Sequence, residues 1–187
     1  PRDVVVAGVD GCPAGWFVVA RFAPGLDPPG TSVRGDGDLC FEGATSWLCA
    51  WRRSFAEIVD LVGGEAVIGV DIPIGLMDHA GRGGRRCDRE ARVLLGPGRA
   101  SSVFSAPSRD ALDSPTHREA NARSKAGSVE SIGLSIQTFN IMSKVREVDD
   151  VLRQGGATQE RVHEVHPELA FWEMGGRGAL LSGKKTV

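Results

Sequence analysis

The chain lacks the features that would place it in several large classes. Its four cysteines, at positions 12, 40, 49 and 87, form no C-x-x-C pair and no compact framework, and a chain of 187 residues is too large to need disulfide staples. They read as reduced thiols in a cytosol. No apolar run approaches the ~20 residues of a membrane helix; the longest are Val4–Val9 and Ala66–Val70, and Pro1-Arg2-Asp3 is no signal peptide. The expectation is a soluble, cytoplasmic, unexported protein with no membrane partner. Charge of one sign is also lacking: 22 Lys+Arg against 24 Asp+Glu leave 22 − 24 = −2, so there is no bulk basic field and any anion-binding surface must be local. There is no internal repeat, and no G-x-S-x-G elbow to make a serine nucleophile.

What remains is an ordinary globular composition, 41% hydrophobic and 25% charged, long enough to bury a core as one domain over 1–187. The start without Met and the stop at Lys184-Lys185-Thr186-Val187, with no turn or cap chemistry, read as a trimmed or partly proteolysed version of something longer.

Val4-Val5-Val6-Ala7-Gly8-Val9-Asp10 is a continuous apolar run closing on an acid, the pattern of a strand buried on both faces. Gly11–Gly15 turns the chain, Trp16–Phe22 returns as a second strand, and a weaker third strand is predicted from about Thr31 to Phe41. Trp47, Trp51, Phe55, Ile58 and Val62 recur at steps of three and four, predicting a helix over Ser46–Val62 whose aromatic stripe is core, ended by Gly63-Gly64. Ala66–Asp71 repeats the pattern of an apolar strand closing on an acid. The stretch Asp78–Ser108 is predicted to be mostly loop with a short helix near Asp88–Leu95. A long helix is predicted over Gly133–Arg153, a fifth strand over Arg161–His166, and a final helix beginning at Pro167. The order implies an α/β domain with a mixed five-stranded sheet, a three-stranded antiparallel meander plus parallel strands, flanked by helices. A right-handed crossover lays the fourth strand beside the first.

That adjacency carries the chemistry. Asp10 and Asp71 would then converge at the carboxyl ends of parallel neighbours about 4.8 Å apart, in the crevice where open α/β sheets bind ligands. Two carboxylates so close call for a cation, and all-oxygen ligands favour Mg²⁺ or Mn²⁺, which activate water in phosphodiester hydrolysis. Glu164, sharing a face with His166 by strand alternation, or Glu168, one residue into the last helix, could complete the shell; the plain alternative for Glu168 is a capping carboxylate. His163 and His166 read as hydrogen-bonded strand histidines. Six arginines stand between Arg82 and Arg99 against only Asp88 and Glu90. Arg85, Arg86, Arg89 and Arg92 are expected to offer guanidinium groups to substrate phosphates, with Ser102 and its neighbours Ser101 and Ser105 adding hydrogen bonds.

Six ordered blocks carry a resemblance: G-V-D-G-C-P-A-G-W (8–16), V-I-G-V-D-I-P-I-G-L (67–76), R-x-C-D-x-E-A-R (85–92), S-S-V-F-S-A-P (101–107), L-S-I-Q (134–137) and E-V-H-P-E-L-A-F (164–171). Together, over nearly the whole chain, they resemble the DUF429 family, predicted nucleases of the ribonuclease H-like fold. The resemblance implies that fold, with acids of the first and fourth strands as metal ligands. Family members continue beyond S-G-K-K-T (182–186), and in ribonuclease H-like enzymes a last ligand often comes from a late helix. Glu57 and Asp60 sit late in their helix, so this region supplies no obvious acid equivalent to the helical glutamate of ribonuclease H. The expected function is metal-dependent hydrolysis of nucleic acid with Asp10, Asp71, Glu164 and Glu168 as catalytic candidates. Alternatives are a phosphotransferase or nucleotide-binding protein of the actin-like superfold, a non-catalytic binding module, and a domain that binds a small phosphorylated metabolite through the same arginines.

Overall fold

A computed structural model describes residues 4–23, 39–41, 47–155, 157 and 159–177. They group into two compact units, Pro1–Ile74 with Lys144–Glu164, and Gly75–Ser143 with Val165–Val187.

The first unit holds a mixed sheet in the order β3-β4-β2-β1-β5-β6, formed by β1 (Val4–Cys12), β2 (Gly15–Phe22), β3 (Leu39–Phe41), β4 (Trp47–Arg52), β5 (Val67–Val70) and β6 (Val162–Glu164). β1, β5 and β6 run parallel; β2 is antiparallel to β1 and to β4, and β3 to β4. The α/β class and the crossover that sets β5 beside β1 are as the sequence predicts. The meander is not. The neighbour of β2 is β4, inside the segment predicted as helix, and most of the predicted third strand lies outside the described residues.

The helix prediction over Ser46–Val62 therefore holds only for its second half, α1 (Phe55–Val62). A four-residue step keeps two side chains on one side of a helix and, being even, also on one side of a strand. Trp47 and Trp51 satisfy both periods, and the edge of β2 selects strand. Leu48 and Ala50 are buried while Trp47 and Trp51 are exposed, so the two tryptophans are not core. α1 starts where Ser54 Oγ accepts from Glu57 N–H and ends at Gly63, whose φ of 85° is open to glycine.

One face of the sheet is the core. Ala7, Val9, Val18, Ala20, Ile68, Val70 and Val162 are buried on it with Phe55, Ile58 and Val62 of α1. From α5 (Ile136–Arg153), Val145 and Val148 join them. Trp16 is fully buried, its ring 5.2 Å from that of Phe55. Lys144 Nζ lies 4.5 Å from the centre of the Trp16 ring, and the Trp16 Nε1–H donates to Glu147 at 2.9 Å. Glu147 also accepts from the Phe55 backbone N–H at 2.5 Å, which ties α5 to the first turn of α1.

The second unit is built on α2 (Arg86–Leu95), a short 3₁₀ turn at Ala100–Ser102, α3 (Arg109–Leu112), α4 (His117–Gly127), the first residues of α5, and α6 (Pro167–Met174). Ala111, Ala120, Leu134 and Met142 form its apolar cluster, with Phe139 packed against it. Helices α3 and α4 are absent from the prediction. The signal for α4 was present as Thr116-x-x-Glu119, and Thr116 Oγ1 accepts from Glu119 N–H at 3.3 Å. Among the described residues no helix is long and apolar enough to cross a membrane.

Candidate active site

Parallel pairing sets Val9 level with Val70, and the Asp71 N–H donates to Val9 O at 3.4 Å, so Asp10 and Asp71 follow in step on neighbouring strands. Val9 and Val70 are buried on the core face, which sends the next residues to the other face. Both acids are exposed. Asp10 lies inside β1 rather than at its tip, because pairing with β2 runs on to Cys12. The donor set is two oxygen-only carboxylates open to water, which suits a hard divalent cation that keeps several waters of its own.

Glu164 and Glu168 each have partners of their own. Glu164 pairs with Val70, one step before Asp71 and on the alternate face, and its Oε2 accepts from Ile74 N–H at 2.9 Å. It therefore braces the turn after β5. β6 ends at Glu164, so His166 lies beyond the strand and alternation does not relate the two. Glu168 belongs to the second unit, in the first turn of α6, where it is buried with its Oε2 3.4 Å from His166 Nδ1. His163 Nε2 bonds to Glu160 O at 3.0 Å and His166 Nε2 to Ser102 O at 3.2 Å, in keeping with structural histidines. Among the described residues no group of three or more His, Cys, Asp and Glu side chains is placed to hold a metal ion.

The arginines are engaged within their own unit. Arg85, expected to meet phosphate, is buried and forms an ion pair with Asp88. Arg86 reaches Glu90 at 2.6 Å on the exposed side of α2, and Arg89 donates to Gly84 O at 2.5 Å. Arg92 donates to Gly83 O, to Val103 O and to Ser105 Oγ, so it clamps the loop that precedes α2 to the segment that follows it. Ser102 spends its hydroxyl on Arg99 O at 2.8 Å. Arginines on and beside α2 thus hold the helix and its flanking loops in shape.

A family model described as "Protein of unknown function (DUF429)" matches residues 8–187. The chain belongs to the DUF429 family. No curated protein and no solved structure matches it.

Sequence reasoning missed one feature of this DUF429 chain at the acids themselves. Antiparallel pairing sets Asp10 level with Phe17 and Phe17 level with Trp51, so Trp51, Phe17, Asp10 and Asp71 make one row across the sheet. Phe17 is 48% and Trp51 40% exposed. The signal was the parity of the strands: Phe17 alternates with the buried Trp16 and Val18, and Trp51 would have joined it had 47–52 been read as strand.

Proposed function

We propose that this DUF429 protein is a divalent-metal-dependent phosphodiester hydrolase of ribonuclease H-like architecture, acting on nucleic acid at Asp10 and Asp71. The observation that carries the reading is the in-step placement of these two exposed carboxylates on adjacent parallel strands. The mixed sheet, with β2 antiparallel to β1 and α1 crossing from β4 to β5, supports the architecture. Mg²⁺ or Mn²⁺ held there would supply Lewis-acid polarisation and a water of lowered pKa. Asp10 and Asp71 would hold it. The Asp71 backbone bond to Val9 fixes the spacing of the two acids, and Glu164 stiffens the turn that leaves β5. Phe17 and Trp51, beside Asp10 in the same row, offer flat apolar surface for unstacked bases.

The test is Mn²⁺-dependent cleavage of labelled RNA and DNA strands by the wild type, Asp10→Asn and Asp71→Asn. The expected result is cleavage by the wild type and none by either variant, with folding unchanged by circular dichroism. Equal cleavage by the doubly substituted protein would place the chemistry elsewhere.

A further inference from the structure

The second unit holds a partly open cavity of about 260 Å³ whose wall draws on three of the blocks quoted above: Arg92 from 85–92, Ser105 from 101–107, and Leu134 with Ser135 from 134–137. A count of hydrogen bonds shows what it has left to offer. A guanidinium has five N–H donors. Arg92 commits Nε to Val103 O at 3.0 Å, the two Nη2 donors to Val103 O at 2.9 Å and Ser105 Oγ at 3.1 Å, and one Nη1 donor to Gly83 O, which leaves one Nη1–H. Ser105 Oγ accepts that bond and keeps its own O–H. Thr138 Oγ1 donates to Ser105 O at 3.0 Å, so Ser135 must donate to Thr138 at 2.9 Å and is spent. Among the described residues no carboxylate lines the cavity, and Arg92 is the one charged residue on its wall.

Among the described residues the balance is two uncommitted donors beside a fixed positive charge, with Met77, Ile132 and Leu134 as apolar wall. We propose that this cavity is a binding site for a small molecule with an anionic head, phosphate or carboxylate, received by Arg92 and Ser105, and an apolar body. The head gains charge-assisted hydrogen bonds, and the body gains burial. Arg92 is already held by the protein, so little side-chain freedom is lost on binding. The inference does not depend on hydrolysis at Asp10 and Asp71.

Isothermal titration of the whole chain with phenyl phosphate, benzoate and benzyl alcohol tests it. At least one anion should bind and the neutral alcohol should not; the better of the two anions identifies the head. Ser105→Ala should weaken that anion about tenfold or more. Gly81 lines the cavity, and a β-carbon there meets only Met77 Cε, at 3.8 Å, so Gly81→Leu should abolish binding without lowering the melting temperature. No heat from either anion, equal heat from the alcohol, or unchanged binding in Gly81→Leu would overturn the proposal.

Discussion

Arg85 and Asp88 form a buried ion pair across the first turn of α2, Nη2 to Oδ1 at 2.5 Å, with side chains only 6% and 3% exposed. Asp88 Oδ2 also accepts from the Arg85 backbone N–H at 2.9 Å. Removing one partner leaves the other charge buried, which costs about 3–5 kcal/mol. Asp88→Ala should therefore destabilise the protein by that amount in urea unfolding. Replacing both residues with apolar ones of similar volume should cost far less, and a single substitution losing under about 1 kcal/mol would show that the pair is not desolvated.

Two glycines of the β-sheet should respond oppositely to alanine. A β-carbon at Gly15 would collide with the Arg52 carbonyl oxygen and stand 2.9 Å from Trp51 Cζ2. Backbone cannot yield cheaply there, so Gly15→Ala should cost roughly 1–3 kcal/mol or more. At Gly8 nothing lies within 4 Å. Gly8→Ala should be neutral or stabilising by up to about 1 kcal/mol, because it restricts the unfolded chain. Thermal melts of the two variants compare them directly.

The row Trp51, Phe17, Asp10 and Asp71 makes a prediction about substrate form. Bases in a duplex are stacked on each other and cannot lie on Phe17 or Trp51, whereas bases of an unpaired strand can. Phe17→Ala and Trp51→Ala should each weaken binding of a single-stranded oligonucleotide by about tenfold, from the ~1–3 kcal/mol of a stacked base, and leave duplex binding unchanged. Fluorescence anisotropy in the presence of EDTA reads this apart from cleavage.

His79 Nδ1 meets Asp110 Oδ2 at 2.6 Å. That hydrogen bond first, and the charge of Asp110 second, raise the imidazole pKa above its ordinary value of 6.5. The sign follows: the pair's contribution is complete below the unfolded value of about 6.5 and is lost as pH rises through the folded value. The ring is two-thirds exposed, so salt and solvent keep that contribution small. An NMR titration should find the His79 midpoint above 6.5 and see it fall in Asp110→Asn; a wild-type midpoint at or below that value would show that the pair does not persist in solution.

Legibility in the sequence followed the range of each interaction. β1, β5, the crossover between them, the long helix and the final helix at Pro167 were readable because apolar period and breakers act within a few residues. Residues 47–52 were not, since a four-residue repeat of tryptophan fits both periods until a neighbouring strand edge is present. Arg85 could not be told from Arg86 by composition, yet one is buried on Asp88 and the other stands in solvent beside Glu90.

By itself the sequence determined that two apolar strands carry an acid at matching places, because strand propensity and carboxylate chemistry belong to the residues alone. Tertiary structure alone decided which side chains those acids meet. Register set Asp10 beside Phe17 and sent Glu164 to the alternate face, and packing turned arginines inward to close their own loop. Such choices depend on partners distant along the chain, and a one-residue shift in pairing would reverse every face.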